Sequence, residues 1–139
     1  MTFDVEAEVS SALADAFDKM ADARNETRWN SQVSRSDLVG DEPIREGSRF
    51  ATVNRGKEYT ATIRTYDKPN RLVFEVAGAP MDITATFTFR ANGEKTALKG
   101  QFDMRPKGFL KAIFPLMKPV IRKDLAKQSQ SFKRFCESS

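Results

Sequence analysis

Residues Lys107–Glu137 read KGFLKAIFPLMKPVIRKDLAKQSQSFKRFCE, and the fold is decided by what can cover them. Phe109, Ile113, Leu116/Met117, Val120/Ile121, Leu125, Phe132 and Phe135 recur at steps of three and four. That spacing predicts a helix with one apolar face, while most of the Lys and Arg fall on the other. At ~1.5 Å per residue it would extend on the order of 40 Å, longer than a small domain is wide. It therefore needs a broad apolar partner. Pro115 and Pro119 fall in its first half, where proline removes a backbone hydrogen bond and kinks the helix at ~3 kcal/mol. The expectation is a turn or two from Lys107, a break, then a regular helix from about Leu116 or Pro119.

The partner surface must come from the strands upstream. Phe3, Val5, Ala7 and Val9 alternate with Asp4, Glu6, Glu8 and Ser10, a strand with one wet face. Ser10-Ser11 offers an N-cap to a helix carrying Leu13, Ala16, Phe17 and Met20. Asp22 can cap a second short helix that ends at Trp29, the single tryptophan. From Val33 the period changes to two. Strands are expected near Val33–Val39, Ser48–Asn54, Lys57–Tyr66, Arg71–Ala77, Met81–Ala91 and Glu94–Met104, separated by Gly, Pro, Asn and Asp turn signals. Asn92-Gly93 between two alternating runs is the strongest hairpin signal. The order β-α-α-β6-α makes a single α+β domain over residues 1–139, with an antiparallel sheet of about seven strands. Alternation puts Leu72, Phe74 and Val76, then Ile83, Ala85, Phe87 and Phe89, then Leu98, Gly100, Phe102 and Met104 on one inward face.

Composition excludes more than it selects. The chain has no histidine, so imidazole is unavailable as base, nucleophile partner or metal ligand. One cysteine, Cys136, rules out an internal disulfide and ordinary structural zinc sites. No Gly-rich nucleotide loop, Walker A sequence or nucleophile elbow occurs, and no cofactor is implied. The absence of a signal-peptide pattern and of a ~20-residue apolar run points to a cytoplasmic protein. Net charge is +4, yet the segment from Lys107 onward holds eight Lys and Arg against two Asp and Glu, a local +6. The remaining 106 residues carry −2. That basic face serves either as a solvated helix surface or as a docking face for an anionic membrane or acidic partner. Solvation is the preferred reading. Nucleic acid is disfavoured, because no aromatic platform is interleaved with a basic sheet face.

The motifs Ser10–Asp22 (SSALADAFDKMAD), Asn25–Asn30 (NETRWN), Gly47–Phe50 (GSRF) and Thr62–Val76 (TIRTYDKPNRLVFEV), followed by the basic helix, resemble the START-like, or SRPBCC, superfamily. More narrowly, they are similar to the bacterial polyketide cyclase/dehydrase-like proteins. The resemblance implies a helix-grip fold, in which a curved sheet grips the terminal helix around a cavity for a hydrophobic ligand. On that reading the ligand-binding candidates are Trp29, Phe50, Tyr59, Ile63, Phe74, Phe87, Phe102, Met104, Phe109, Ile113 and Met117. Tyr59, Tyr66, Arg64 and Arg35 are candidates for a polar head group. Glu75 and Asp103 have outward parity, and no inward carboxylate is visible. Binding or carrying a lipid-, quinone- or polyketide-like molecule, as monomer or weak homodimer, is the leading expectation. A cyclase or dehydratase, or a toxin-like regulatory protein acting through the basic helix, are the alternatives.

Overall fold

The computed structural model describes residues 1–138. Seven strands form one antiparallel sheet: β1 (Thr2–Val9), β2 (Val33–Val39), β3 (Arg49–Asn54), β4 (Lys57–Asp67), β5 (Arg71–Gly78), β6 (Met81–Asn92) and β7 (Lys95–Pro106). Their spatial order is β1-β7-β6-β5-β4-β3-β2. Every step from β2 to β7 is therefore a neighbour-to-neighbour meander, and β1 closes on β7 with Phe3 opposite Phe102 and Val5 opposite Gly100. The strand boundaries fall within two residues of those read from the turn signals.

Between β1 and β2 lie α1 (Leu13–Ala21), a 3-10 turn (Ala23–Asn25) and the single turn α2 (Glu26–Trp29). Asp22 caps the 3-10 turn by accepting from the Arg24 backbone N–H at 3.1 Å. The expected serine cap of α1 is absent. Ala12 occupies that position, and the serines act elsewhere. The Ser10 N–H donates to the Glu137 carboxylate at 2.8 Å, tying the start of the chain to its end, and the Ser11 carbonyl accepts from Thr96 Oγ1.

The C-terminal segment breaks where proline chemistry requires. α3 (Gly108–Ile113) leads into a 3-10 turn (Phe114–Met117), and α4 (Lys118–Glu137) carries Pro119 in its first turn, where no intrahelical N–H is lost. The break changes the phase of the apolar stripe. Phe109 and Leu116, placed inward by uninterrupted helical spacing, are 81% and 82% exposed, and Val120 is also exposed. Leu110 and Phe114 take the inward positions instead. Beyond the break Leu125 and Phe132 are buried as the spacing places them, Phe135 is half-buried, and Cys136, which the spacing does not include, is buried.

Two apolar clusters result. The larger joins α1, the concave face of the sheet and the end of α4 through Phe17, Phe50, Ile63, Leu72, Phe74 and Phe132. The smaller joins Phe3, Met104, Phe114 and Leu125 where α3 and the start of α4 meet β1 and β7. The outer face of the sheet is polar, and Glu75 lies there among Arg64, Arg105 and Thr84.

Candidate functional site

Between the two clusters the interior is hollow. A cavity of about 460 Å³ lies between the concave face of the sheet and α4, within the range that holds small organic ligands. The local sequence explains the space. Ala7, Ala61, Ala85 and Gly100 sit at inward positions in mid-strand, where a packed core would carry larger side chains. Gly100 is constrained by its neighbours as well: a Cβ there would lie 2.9 Å from Val5 and 3.3 Å from both Phe87 and Phe102. Its bare backbone lets those two rings meet edge to face at 5.6 Å.

Most of the wall is apolar. Phe74, Val76, Ile83, Phe87, Phe102 and Met104 come from the sheet; Leu110, Phe114, Met117, Ile121 and Leu125 come from the terminal segment. Where the cavity meets solvent, Arg55 of the β3–β4 turn, Lys57 at the start of β4 and Val120 of α4 are exposed lining residues. Across that opening Arg55 donates to Asp124 of α4, a contact joining positions 69 residues apart. Deeper in, Gln128 Nε2 donates to Gln32 Oε1 at 3.4 Å.

Of the residues named from sequence, Trp29, Tyr59, Phe74, Phe87, Phe102, Met104 and Met117 line this cavity. Four do not. Phe50 and Ile63 are fully buried in the larger cluster, with Phe50 edge to face on Phe74 at 6.4 Å. Phe109 points to solvent because of the helix break, and the same break leaves Ile113 outside the lining. Among the polar candidates, Tyr66 packs edge to face on Phe17 at 5.2 Å, Arg64 pairs with Glu75, and Arg35 pairs with Asp37. Only Tyr59 reaches the cavity, and burial pushes its hydroxyl pKa up. Trp29 packs edge to face on Phe132 of α4 at 5.3 Å.

The sequence reading missed an inward carboxyl. Glu26 opens α2 and lines the cavity beside Trp29 and Asn30. Asn30 Nδ2 donates to Glu26 Oε2 at 3.4 Å, and the Asn30 side-chain oxygen accepts from the Gln32 N–H at 3.1 Å. No Lys or Arg pairs with Glu26 among the described residues. Burial pushes its pKa up to about 7, against a smaller opposing effect of the Asn30 bond. The clue was available: Glu26, Trp29 and Asn30 are spaced i, i+3 and i+4, which puts them on one helix face.

The sequence pattern of the family described as polyketide cyclase / dehydrase and lipid transport matches residues 1–137. The chain belongs to this family. No curated protein sequence matches it. Solved structures share its fold at low identity. The protein TTHA0849 of Thermus thermophilus superposes with a TM-score of 0.74 at 16% identity, covering 96% of this chain and 95% of that one. The hypothetical protein jhp0584 of Helicobacter pylori gives 0.81 at 9% identity, covering 99% and 88%. A START superfamily protein of Mycobacterium smegmatis gives 0.68 at 13%, covering 93% and 97%. The fold is thus the START-like helix grip. Among the described residues no helix is long and apolar enough to cross a membrane.

Proposed function

We propose that this chain binds or carries a hydrophobic small molecule, lipid-, quinone- or polyketide-like, in the cavity between the sheet and α4. The apolar cavity of about 460 Å³, kept open by Ala61, Ala85 and Gly100 in mid-strand, carries the reading. A family whose description includes lipid transport supports it. An environment-sensitive apolar fluorophore should bind at one site per chain with micromolar affinity, ~8 kcal/mol. Ala85 faces the cavity between Phe74 and Phe102, so Ala85→Leu fills the space from the wall inward. That variant should bind the fluorophore at least tenfold more weakly while its circular dichroism is unchanged. Equal binding by parent and variant would overturn the assignment.

Glu26 favours one second reading, a cyclase or dehydratase. A carboxyl with a pKa of about 7 can both take and return a proton near neutrality, and an apolar cavity can hold a reactive chain folded against it. Turnover of a polyketide-like substrate that is abolished by Glu26→Gln, with fluorophore binding retained, would establish it.

A further inference from the structure

The polar side chains of the cavity are not evenly spread. Asn30 donates to Glu26 and accepts from the Gln32 backbone, while the Gln32 and Gln128 amides bond to each other. None of these amides is saturated: Asn30 and Gln128 each keep one N–H, and Gln32 keeps both. Glu26 is half-buried, and its Oε1 has no hydrogen-bond partner among the described residues. What distinguishes this end of the cavity is a carboxylate oxygen to which nothing donates.

A carboxyl oxygen facing an apolar space binds best to a group that donates a hydrogen bond, because a charge-assisted bond is about twice as strong as a neutral one. It disfavours an anion. A cation is a poorer match than a neutral donor here. Lys57 stands at the opening, the chain is +4 overall, and burying a second charge carries its own desolvation cost. The other charged groups near α2 and the opening are paired: Arg24 with Asp22 and Glu42, Arg55 with Asp124, Arg35 with Asp37. Arg28 of α2 is exposed to solvent.

We propose that the ligand of this cavity is an apolar molecule whose head is an uncharged hydroxyl, donated to Glu26, and that the site rejects fatty-acid carboxylates when Glu26 is ionised. The proposal rests on the reading of the cavity as a ligand site and narrows it. It uses a residue on the end of the cavity flanked by α2 and α4, beside Trp29 and Asn30.

Binding of four probes with the same chain length can be followed at pH 8 by the fluorescence of Trp29, the single tryptophan and a lining residue. The probes are decanol, methyl decyl ether, decanoate and decylamine. Decanol should bind at least tenfold more tightly than the ether, which cannot donate, and decanoate should be weakest. Glu26→Leu should bring decanol within twofold of the ether and leave the ether unchanged. Glu26→Gln, which removes the negative charge but keeps an acceptor, should strengthen decanoate binding at least tenfold. The inference is overturned if alcohol and ether bind alike in the parent, if the preference survives Glu26→Leu, or if decanoate or decylamine binds most tightly. In all those cases the ether still binds and the cavity reading stands. Binding of none of the four overturns both.

Discussion

Glu26 is a residue whose burial costs stability once it ionises. Its folded-state pKa of about 7 lies above the ordinary value of 4.5, so the folded protein holds the proton more tightly than the unfolded chain. The associated stability is complete below pH 4.5 and is lost as pH rises through about 7. The cavity opens to solvent, so the loss is expected at ~1–2 kcal/mol, less than the shift alone would give. Glu26→Gln has no such loss. Denaturant unfolding at pH 4.5 and pH 8 should show the variant gaining ~1–2 kcal/mol on the parent at the higher pH, and a constant difference would refute the assignment. Cys136 behaves differently. Burial pushes its thiol up to about 11, so at pH 8 it should react with a thiol reagent only as fast as the chain opens. Labelling at the rate of a free thiol in native protein would show that the end of α4 is not packed as described. These residues differ in legibility. Cys136 continues the apolar stripe of a long helix. Glu26 sits in a single helical turn, too short for periodicity to reveal, and only its spacing to Trp29 betrays its direction.

At the scale of elements, the terminal segment separates what periodicity can and cannot read. Alternation along β5, β6 and β7 identified the concave face correctly, because a strand's two-residue period does not depend on its neighbours. Helical phase does depend on continuity. The 3-10 turn at Phe114–Met117 inserts a tighter winding and rotates everything before it relative to α4. Phe109 and Leu116 then leave the core, and Leu110 and Phe114 enter it. Alanine substitutions measure that rotation directly. Phe114→Ala should cost ~3–5 kcal/mol, as for a fully buried aromatic, whereas Phe109→Ala and Leu116→Ala should each stay within ~0.5 kcal/mol. Comparable losses at Phe109 and Phe114 would mean that the segment is one continuous helix after all. The Arg55–Asp124 pair belongs to the same scale, since it joins the β3–β4 turn to α4 across the opening. Half-exposed pairs contribute ~0–1 kcal/mol, so Arg55→Ala should barely change stability. It should speed fluorophore release at least threefold in stopped flow if the pair restricts the opening, and an unchanged release rate would remove that role.

The molecule as a whole is a sheet and a helix that do not fully meet. Turn signals and strand parity were enough to give the β2–β7 meander, because each of those strands pairs with its sequence neighbour, whereas the place of β1 beside β7 was not readable from them. The hollow was not readable in the same way. An alanine at an inward position is compatible with a tight core, and only the separation of the sheet from α4 shows that Ala61 and Ala85 face empty space. Leaving that space unfilled forgoes packing contacts, so the fold gives up stability to keep a binding volume. Ala85→Leu should recover part of it, raising unfolding free energy by ~0.5–2 kcal/mol after any strain from the added carbons. A ligand should recover the same deficit by mass action. At a hundredfold excess over its Kd, the apolar fluorophore should stabilise the parent by ~2.7 kcal/mol. For a chain of this length that is a rise in Tm of about 5–11 °C. The two effects compete for one volume and must not add. Scanning calorimetry of parent and Ala85→Leu, each with and without the fluorophore, should show a large ligand shift only in the parent. Equal shifts in both proteins would place the ligand outside the cavity, whatever its affinity.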